Sequence, residues 1–350
     1  MIKINLVKII INTSTFKQSQ KDPSPSFIND LICEFSKSNH YYVMFPKKTT
    51  QLKNKNIFKN IKLLPYFYLI PRKFSNISEN GILPSLKKNP LNLVKVILLI
   101  LSQFLHLIYY AIKIKPDFVY SHWVFPQAFI SSIVCKIFKI KHVFTSHGSD
   151  VSILNNFGKF GLFIKNFTLN NSVRYTTVSS LACEKLQSNT KGVVAVNYTI
   201  PMGINKEFFI TKFDKNENLD QINLLYFGRI TKYKGVDLII RACNLLKNDG
   251  LSFHLNIIGN GDFKQNLLNL ADKFSLLENI NFLDYKNRNV LIDYIDESDL
   301  VIIPSIENNY EFEAGPLSYL EGMSRKKLCI ISSSIGFAEH STENNSIIFN

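Results

Sequence analysis

Short apolar runs alternate with longer stretches of helical periodicity from one end of this chain to the other, and that alternation constrains its fold more than any other feature. Strands that alternate with helices pair in parallel, and the crossover helices cover both faces of the sheet. In the first half, Lys3–Ile11, Tyr41–Phe45, Phe118–Ser121, His142–Ser146 and Tyr175–Val178 read as strands, with Phe27–Ser38, Leu93–Ile114 and Ala128–Phe138 as helices between them. A turn-rich and then polar segment, Pro201–Leu219, interrupts the pattern. A second alternation follows: strand Leu224–Phe227, helix Val236–Lys247, strand His254–Ile258, helix Phe263–Phe274, strand Ile280–Leu283, helix Val290–Glu297, strand Leu300–Pro304, helix Pro316–Met323 and strand Leu328–Ser332. The expectation is an α/β chain of two Rossmann-like doubly wound domains, 1–205 and 206–350, facing each other across a cleft. A length of 350 residues suits two domains. In doubly wound sheets the loops at the carboxyl ends of the strands line the ligand crevice, so chemistry is sought there.

Composition narrows the class. Hydrophobic residues make up 46% and charged residues 19%, which excludes a disordered chain. With 14 Gly, 12 Pro and 5 Cys, collagen-like, mucin-like and disulfide-scaffold readings also fall away. Cys33, Cys135, Cys183, Cys243 and Cys329 are scattered and form no C-x-x-C pair, so buried thiols in a reducing compartment are expected. The N-terminus carries Lys3 and Lys8 without a small-residue cleavage site and reads as a strand, not a signal peptide. The long uncharged run Val96–Ile112 is interrupted by Ser102, Gln103 and His106 and is short for a membrane span. A cytoplasmic protein is expected.

Three strand-end segments hold candidate chemistry. In GRITKYKG, Gly228 permits a tight turn, while Arg229 and Lys234 share one loop and can clamp a diphosphate. A lysine just before a helix is electrostatically unfavourable, so an anion is expected beside Lys234; a solvated basic loop is the plainer reading. In EAGPLSYLE, the first free N–H groups after Gly315, at Leu317 onward, form a potential anion site. Glu321 lies further along that helix, suited to sugar or ribose hydroxyls, with Glu313 at its entrance. Glu307 and Glu311 leave the register open. In HVFTSHGSD, His147 sits at a strand end beside Gly148, where Asp150 can orient its ring or bind an acceptor hydroxyl. His122, in SHWVFP, is a weaker version of the same arrangement.

Together these segments resemble the GT-B glycosyltransferases of family 4, over nearly the whole chain. SHWVFP, FTSHGSDV, TTVSS and IPMGINKEFF carry the resemblance in the first half, and YFGRITKYKGVDLIIRA, IIGNGDF and PSIENNYEFEAGPLSYLEGM in the second. The resemblance implies an acceptor-binding first domain and a second domain that binds a nucleotide-sugar donor. By it, Arg229 and Lys234 hold the diphosphate, Glu313 contacts the donor sugar, Glu321 contacts the ribose, and His147 lies near the transferring centre. Gly228, Gly315 and Leu317 belong to the same donor site. It also implies retention of anomeric configuration, with the departing phosphate as base. No D-x-D motif occurs, in keeping with a site that needs no metal and no cofactor. The chain departs from the family in four places. Its first loop, NTSTFKQSQKDPSPSF, lacks glycine; GMSRKKLCII replaces a small-residue segment; Asp284-Tyr285 stands where a Gly is common; and it stops at SIIFN, where relatives continue. A second domain truncated at its end is therefore expected.

The charge is unevenly spread. Residues 1–205 hold 26 Lys and Arg against 7 Asp and Glu, whereas residues 206–350 hold 15 against 20, so a net +19 meets a net −5. Between Lys47 and Lys88 lie Lys48, Lys53, Lys55, Lys59, Lys62, Arg72, Lys73 and Lys87, opposed by Glu79 alone. The expectation is an enzyme held peripherally on the inner face of the cell membrane. There it would transfer sugar to a glycan or lipid-linked acceptor in surface polysaccharide or lipopolysaccharide synthesis. No nucleic-acid motif accompanies the charge, and nucleic acid is not expected as a partner. The competing readings are a nucleotide-sugar epimerase on the same scaffold and a non-catalytic basic binder of membranes or nucleic acid.

Overall fold

The computed structural model describes residues 6–18, 27–35, 39–47, 60–69, 89–209, 221–308 and 311–350. The chain divides into two compact units, Met1–Gly203 and Ile204–Asn350. The first unit holds β1 (Lys8–Asn12), α1 (Phe27–Cys33), β2 (His40–Pro46), β3 (Ile61–Tyr66), α2 (Asn92–Ile114), β4 (Phe118–His122), α3 (Phe129–Phe138) and β5 (Lys141–Ser146). It continues through α4 (Ser149–Asn156), α5 (Gly158–Asn170), β6 (Arg174–Thr177), α6 (Ser180–Gln187) and β7 (Val196–Thr199). Its strands run in the order β3-β2-β1-β4-β5-β6-β7, every pair parallel.

The second unit holds β8 (Ile222–Phe227), α7 (Val236–Asn248), β9 (Phe253–Ile258), α8 (Lys264–Lys273) and β10 (Ile280–Leu283). It ends with α9 (Arg288–Glu297), β11 (Leu300–Ile303), α10 (Leu317–Ser324), β12 (Leu328–Ser332) and β13 (Ser346–Phe349). The strand order is β10-β9-β8-β11-β12-β13, again all parallel.

Strand alternation sends neighbouring side chains to opposite helical layers. Ile10 and Met44 pack with Leu99 and Leu107 of α2 and Val134 of α3, whereas Ile11, Val43 and Phe45 pack with Ile28 and Ile32 of α1. In the second unit, Leu224 and Tyr226 meet Ile239, Ile240 and Leu267 of α7 and α8, while Leu225 and Phe227 share a core with Ile295 and Tyr319 of α9 and α10.

Helix α2 is longer than its uncharged run, reaching 23 residues once Lys95 and Lys113 are included. By length and apolarity alone it can cross a bilayer, contrary to the expectation from Val96–Ile112. Here, however, Val96, Leu99, Gln103, Leu107 and Ala111 form a buried stripe. Its polar member is held through its amide nitrogen: Gln103 Nε2 donates to Asn12 Oδ1 at 2.7 Å, and Asn12 Nδ2 donates to Ser131 Oγ of α3 at 2.9 Å. One polar relay thus fixes α2 and α3 to the end of β1, because a buried amide without partners costs about 1–3 kcal/mol. The cysteines are all free, but Cys33 is exposed and Cys183 only half-buried, so the expectation of uniformly buried thiols is corrected.

Each sheet reverses winding between two adjacent strands, β1 and β4 in the first and β8 and β11 in the second, and loops diverge at such points. In the second unit the two loops still touch. Gly235 has φ +65°, and a Cβ there would lie 2.1 Å from the Pro304 carbonyl oxygen at the end of β11. Only glycine combines that backbone with that approach. Gly235→Ala is therefore expected to cost about 2 kcal/mol or more, read as a fall in Tm of roughly 4–8 °C. Gly250→Ala, at φ +73° but with open space around it, should cost clearly less if the contact with Pro304 is what matters.

Candidate functional site

The second unit brings Arg229, Lys234 and Glu313 to the point where β8 and β11 part. Strand β8 ends at Phe227; Gly228, at φ +153°, turns the chain and donates its N–H to the Ile258 carbonyl at 3.0 Å. Arg229 follows and is exposed, its Nη2 donating to Tyr233 Oη at 3.3 Å. The loop is braced from below by the Tyr226 hydroxyl, which donates to the Arg229 carbonyl at 2.7 Å. Burial raises the Tyr226 phenol well above its ordinary range, so it stays a donor.

Lys234 ends a short helical turn, Lys232–Lys234, and its Nζ donates to the Glu313 carboxylate, which also accepts from Ser305 Oγ at 3.5 Å. The side chains of Lys234 and Glu313 are 15% and 13% exposed. Burial opposes the charge on Lys234, but the Glu313 carboxylate outweighs it and holds the ammonium above its usual pKa. The anion expected beside Lys234 is therefore supplied by the chain itself. A basic loop and an acidic one, 79 residues apart in sequence, form one partly sheltered pair.

Glu313 lies in a bridge to Ile335, and Gly336 N–H donates to its carbonyl at 2.7 Å. The following Gly315 lies against a ring: a Cβ would fall 2.7 Å from Phe337 Cζ. Pro316 then caps α10, whose first residue is Leu317. Glu321, one turn along, is half-buried; burial raises its carboxyl to about 7, against the opposing pull of Arg288. Glu307 is exposed, and Glu311, half-buried like Glu313 and Glu321, has its N–H tied to Asn308 Oδ1 at 2.8 Å. Asp284 pairs with Lys264 at 2.9 Å, leaving Tyr285 exposed.

In the first unit the strand-end histidines come together. His122 ends β4 and His147 follows β5; His122 Nδ1 lies 3.1 Å from His147 Nε2. The rings of Trp123 and Phe27 pack on His147 with centroids at 4.9 and 5.1 Å. Burial lowers the pKa of His147 to about 3, and burial together with His147 holds His122 well below its ordinary value. Both rings are neutral across physiological pH.

Asp150 does not orient the His147 ring. It is buried, its carboxylate accepting from the Val124 N–H at 2.6 Å and from Ser146 Oγ at 3.1 Å, so it ties the β4 and β5 loops together. With both oxygens engaged and 1% exposure, it presents nothing to an acceptor hydroxyl either. Tyr226, Ser305, Trp123, Phe27 and Met202, unmarked in the sequence reading, are recruited from separate segments. Only Trp123, the single Trp of the chain and adjacent to His122, carried a signal that could have drawn notice. Among the described residues no cluster of His, Cys, Asp and Glu could hold a metal ion.

Comparison with known proteins gives this geometry a family. Residues 207–349 match the family described as glycosyl transferases group 1, and residues 77–180 match the family described as glycosyl transferase 4-like. An uncharacterized glycosyltransferase of Methanocaldococcus jannaschii is 28% identical over 223 residues, 64% of this chain and 58% of that protein. The amylovoran biosynthesis glycosyltransferase AmsK of Erwinia amylovora is 30% identical over 196 residues, 54% of this chain and 46% of its own. The matches thus span about half the length of these relatives. Among solved structures, HepE of Anabaena in complex with UDP superposes with a TM-score of 0.69 at 13% identity, covering 98% of this chain and 86% of that one. The lipopolysaccharide outer core galactosyltransferase WaaB gives 0.64 at 14% identity, covering 98% and 86%. Each unit carries a match of its own, and the fold is that of the same enzymes: the chain belongs to the GT-B glycosyltransferases of group 1, family 4.

Proposed function

We propose that this protein is a retaining glycosyltransferase that moves a sugar from a nucleotide-sugar donor to a lipid-linked glycan acceptor in surface polysaccharide or lipopolysaccharide synthesis. The observation that carries the reading is the Lys234–Glu313 pair beside exposed Arg229 at the point where β8 and β11 diverge. A guanidinium and an ammonium in one loop suit a diphosphate, and a carboxylate bonded to that ammonium suits the hydroxyls of the sugar attached to it. The names of the relatives point the same way: AmsK belongs to amylovoran biosynthesis, WaaB is a lipopolysaccharide outer core galactosyltransferase, and HepE was captured with UDP.

In this reading the unit Ile204–Asn350 binds the donor and Met1–Gly203 the acceptor. The bond from the anomeric carbon to the phosphate oxygen breaks with its electron pair going to the diphosphate. The acceptor oxygen bonds to that carbon on the same face, and its proton passes to the departing phosphate. Arg229, Lys234 and the first N–H groups of α10 meet the growing negative charge, without a metal ion. Glu321 accepts from the ribose hydroxyls, and neutral His147 serves a hydroxyl of the transferred sugar.

The acceptor side is proposed to work at the inner face of the cell membrane. Of the Lys47–Lys88 cluster, only Lys47 and Lys62 lie within the described residues. Support comes from α2, where Val94, Ile97, Leu101, Leu105 and Ile112 form an exposed apolar stripe at helical spacing. Exposed Lys113 and Lys115 at its end would meet anionic head groups.

On the purified chain, one of UDP, GDP or ADP is expected to raise the Tm by about 5 °C or more at a hundredfold excess over Kd. Arg229→Ala should abolish that rise without changing the unliganded Tm; absence of a rise with all three nucleotides would leave the donor site without support. Because burial lifts Glu321 from 4.5 to about 7, its neutral form is the one the fold favours. The associated stability is fully present below pH 4.5 and is lost as pH rises through about 7. Glu321→Gln is therefore expected to raise the unliganded Tm by about 4 °C at pH 8 and by little at pH 5. Flotation with anionic liposomes should recover the protein at low salt, and Ile97→Gln/Leu101→Gln should lose it. Unchanged flotation of that double variant would remove α2 from the contact.

A further inference from the structure

His122 and His147 carry a proton arrangement that their surroundings determine. His147 Nδ1 lies 3.4 Å from Met202 Sδ, and a thioether sulfur can only accept. Nδ1 of His147 therefore bears the hydrogen. A neutral imidazole holds one N–H, so His147 Nε2 is an acceptor, and the hydrogen on the 3.1 Å contact belongs to His122 Nδ1. That leaves His122 Nε2 with a bare lone pair, buried and without a partner among the described residues. Both rings thus adopt the Nδ1–H tautomer, the minor form of free histidine in water. A fully buried ring with an orphaned nitrogen is a cost the core has no packing reason to accept.

The backbone beside it is strained as well. Trp123 sits at φ +73°, ψ 140°, a region that L side chains rarely adopt, and its N–H is fixed to the Thr145 carbonyl at 2.9 Å. The consequence of that turn is a cage: Trp123 and Phe27 close on the His147 ring, His122 takes its Nε2, and its one N–H faces a sulfur. Sulfur is a weak acceptor, readily replaced by oxygen.

We propose that His122 is a positioning residue that locks His147 as a one-directional Nδ1–H donor, and that Met202 Sδ holds the place of a substrate hydroxyl oxygen. The identity of that oxygen as a sugar hydroxyl rests on the transferase reading; the proton arrangement does not. An Nε2–H tautomer would direct its hydrogen at His122 and leave Nδ1 able only to accept from a ligand, with no hydrogen to donate. Fixing the tautomer beforehand means that no proton has to move when the hydroxyl arrives.

The arrangement is visible to long-range 15N–1H correlation spectra of the full chain labelled at its seven histidines, with His147→Gln assigning the signals. His147 is expected to show a protonated Nδ1 and an unprotonated Nε2. In His122→Asn, the side-chain amide nitrogen occupies the place of His122 Nδ1 and can still donate, so the tautomer should persist. In His122→Phe it should be lost, and in Met202→Leu it should persist with a shifted Nδ1 signal. Should His122→Phe not fold, the Asn and Leu variants still decide the matter. An Nε2–H tautomer of His147 in the parent protein, or its appearance in His122→Asn, would overturn the proposal. Stabilisation by UDP, GDP or ADP is measured alongside. If all three fail in the parent protein, the transferase reading is what falls, whereas a wrong tautomer sinks this proposal whatever the nucleotides do.

Discussion

A parallel sheet covered by helices on both faces favours apolar side chains along its strands, and a polar one there must find its partners within the core. That constraint governs both units. Strand interiors are mostly committed to apolar packing, as with Ile10 and Ile11, or Leu224 and Leu225, which serve opposite layers of one sheet, and a buried exception such as His142 of β5 is bonded to Ser121 and Ser172. Polar chemistry is pushed to the strand ends, and most freely to where the winding reverses and the two loops separate. Arg229, Lys234 and Glu313 stand there in the second unit; in the first, His122 ends a strand at the reversal and His147 directly follows the next one.

The two units solve different electrostatic problems with that shared plan. In the second, a net-acidic unit, a carboxylate and an ammonium offset each other in one partly sheltered pair. The pair does not neutralise the site, because Arg229 remains exposed beside it. In the first unit the surplus of positive charge is peripheral, while its strand-end histidines are neutral and enclosed by aromatic rings. On the proposed transferase reading, charge in one unit and directed hydrogen bonds in the other suit an anionic leaving group and a neutral nucleophile.

Most interior elements were legible in the sequence, and the omissions share a cause. β3, β7 and β13 went unread, and each lies at the edge of a sheet, where one side is unpaired and the apolar run is short or diluted. β7, VNYT, is largely exposed, and β3, IKLLPY, contains a proline tolerated only at such a place. α4, α5 and α6 were missed for another reason. Buried polar residues, Asp150 and Ser152 in α4 and Lys165 and Thr168 in α5, interrupt the helical period that would reveal them. At the site, the residue types and loops were readable because glycine turns and basic pairs leave local marks. Partnerships were not: the Lys234 ammonium reads as awaiting an external anion until Glu313 arrives from another loop, and Asp150 reads as a ligand until both its oxygens are spoken for.

The sequence by itself determined the alternation, hence parallel sheets with two helical layers, and the set of strand-end loops in which polar residues could survive. Those follow from periodicity and chain connectivity, which are local properties. The tertiary structure alone decided which of those residues are free and which are spent, and which way a hydrogen bond points between two histidines 25 residues apart. Burial and pairing are set by residues distant in sequence, and they move a carboxyl to about 7 at Glu321 and an imidazole to about 3 at His147. No local pattern carries that information, because desolvation belongs to the packed site and not to the residue.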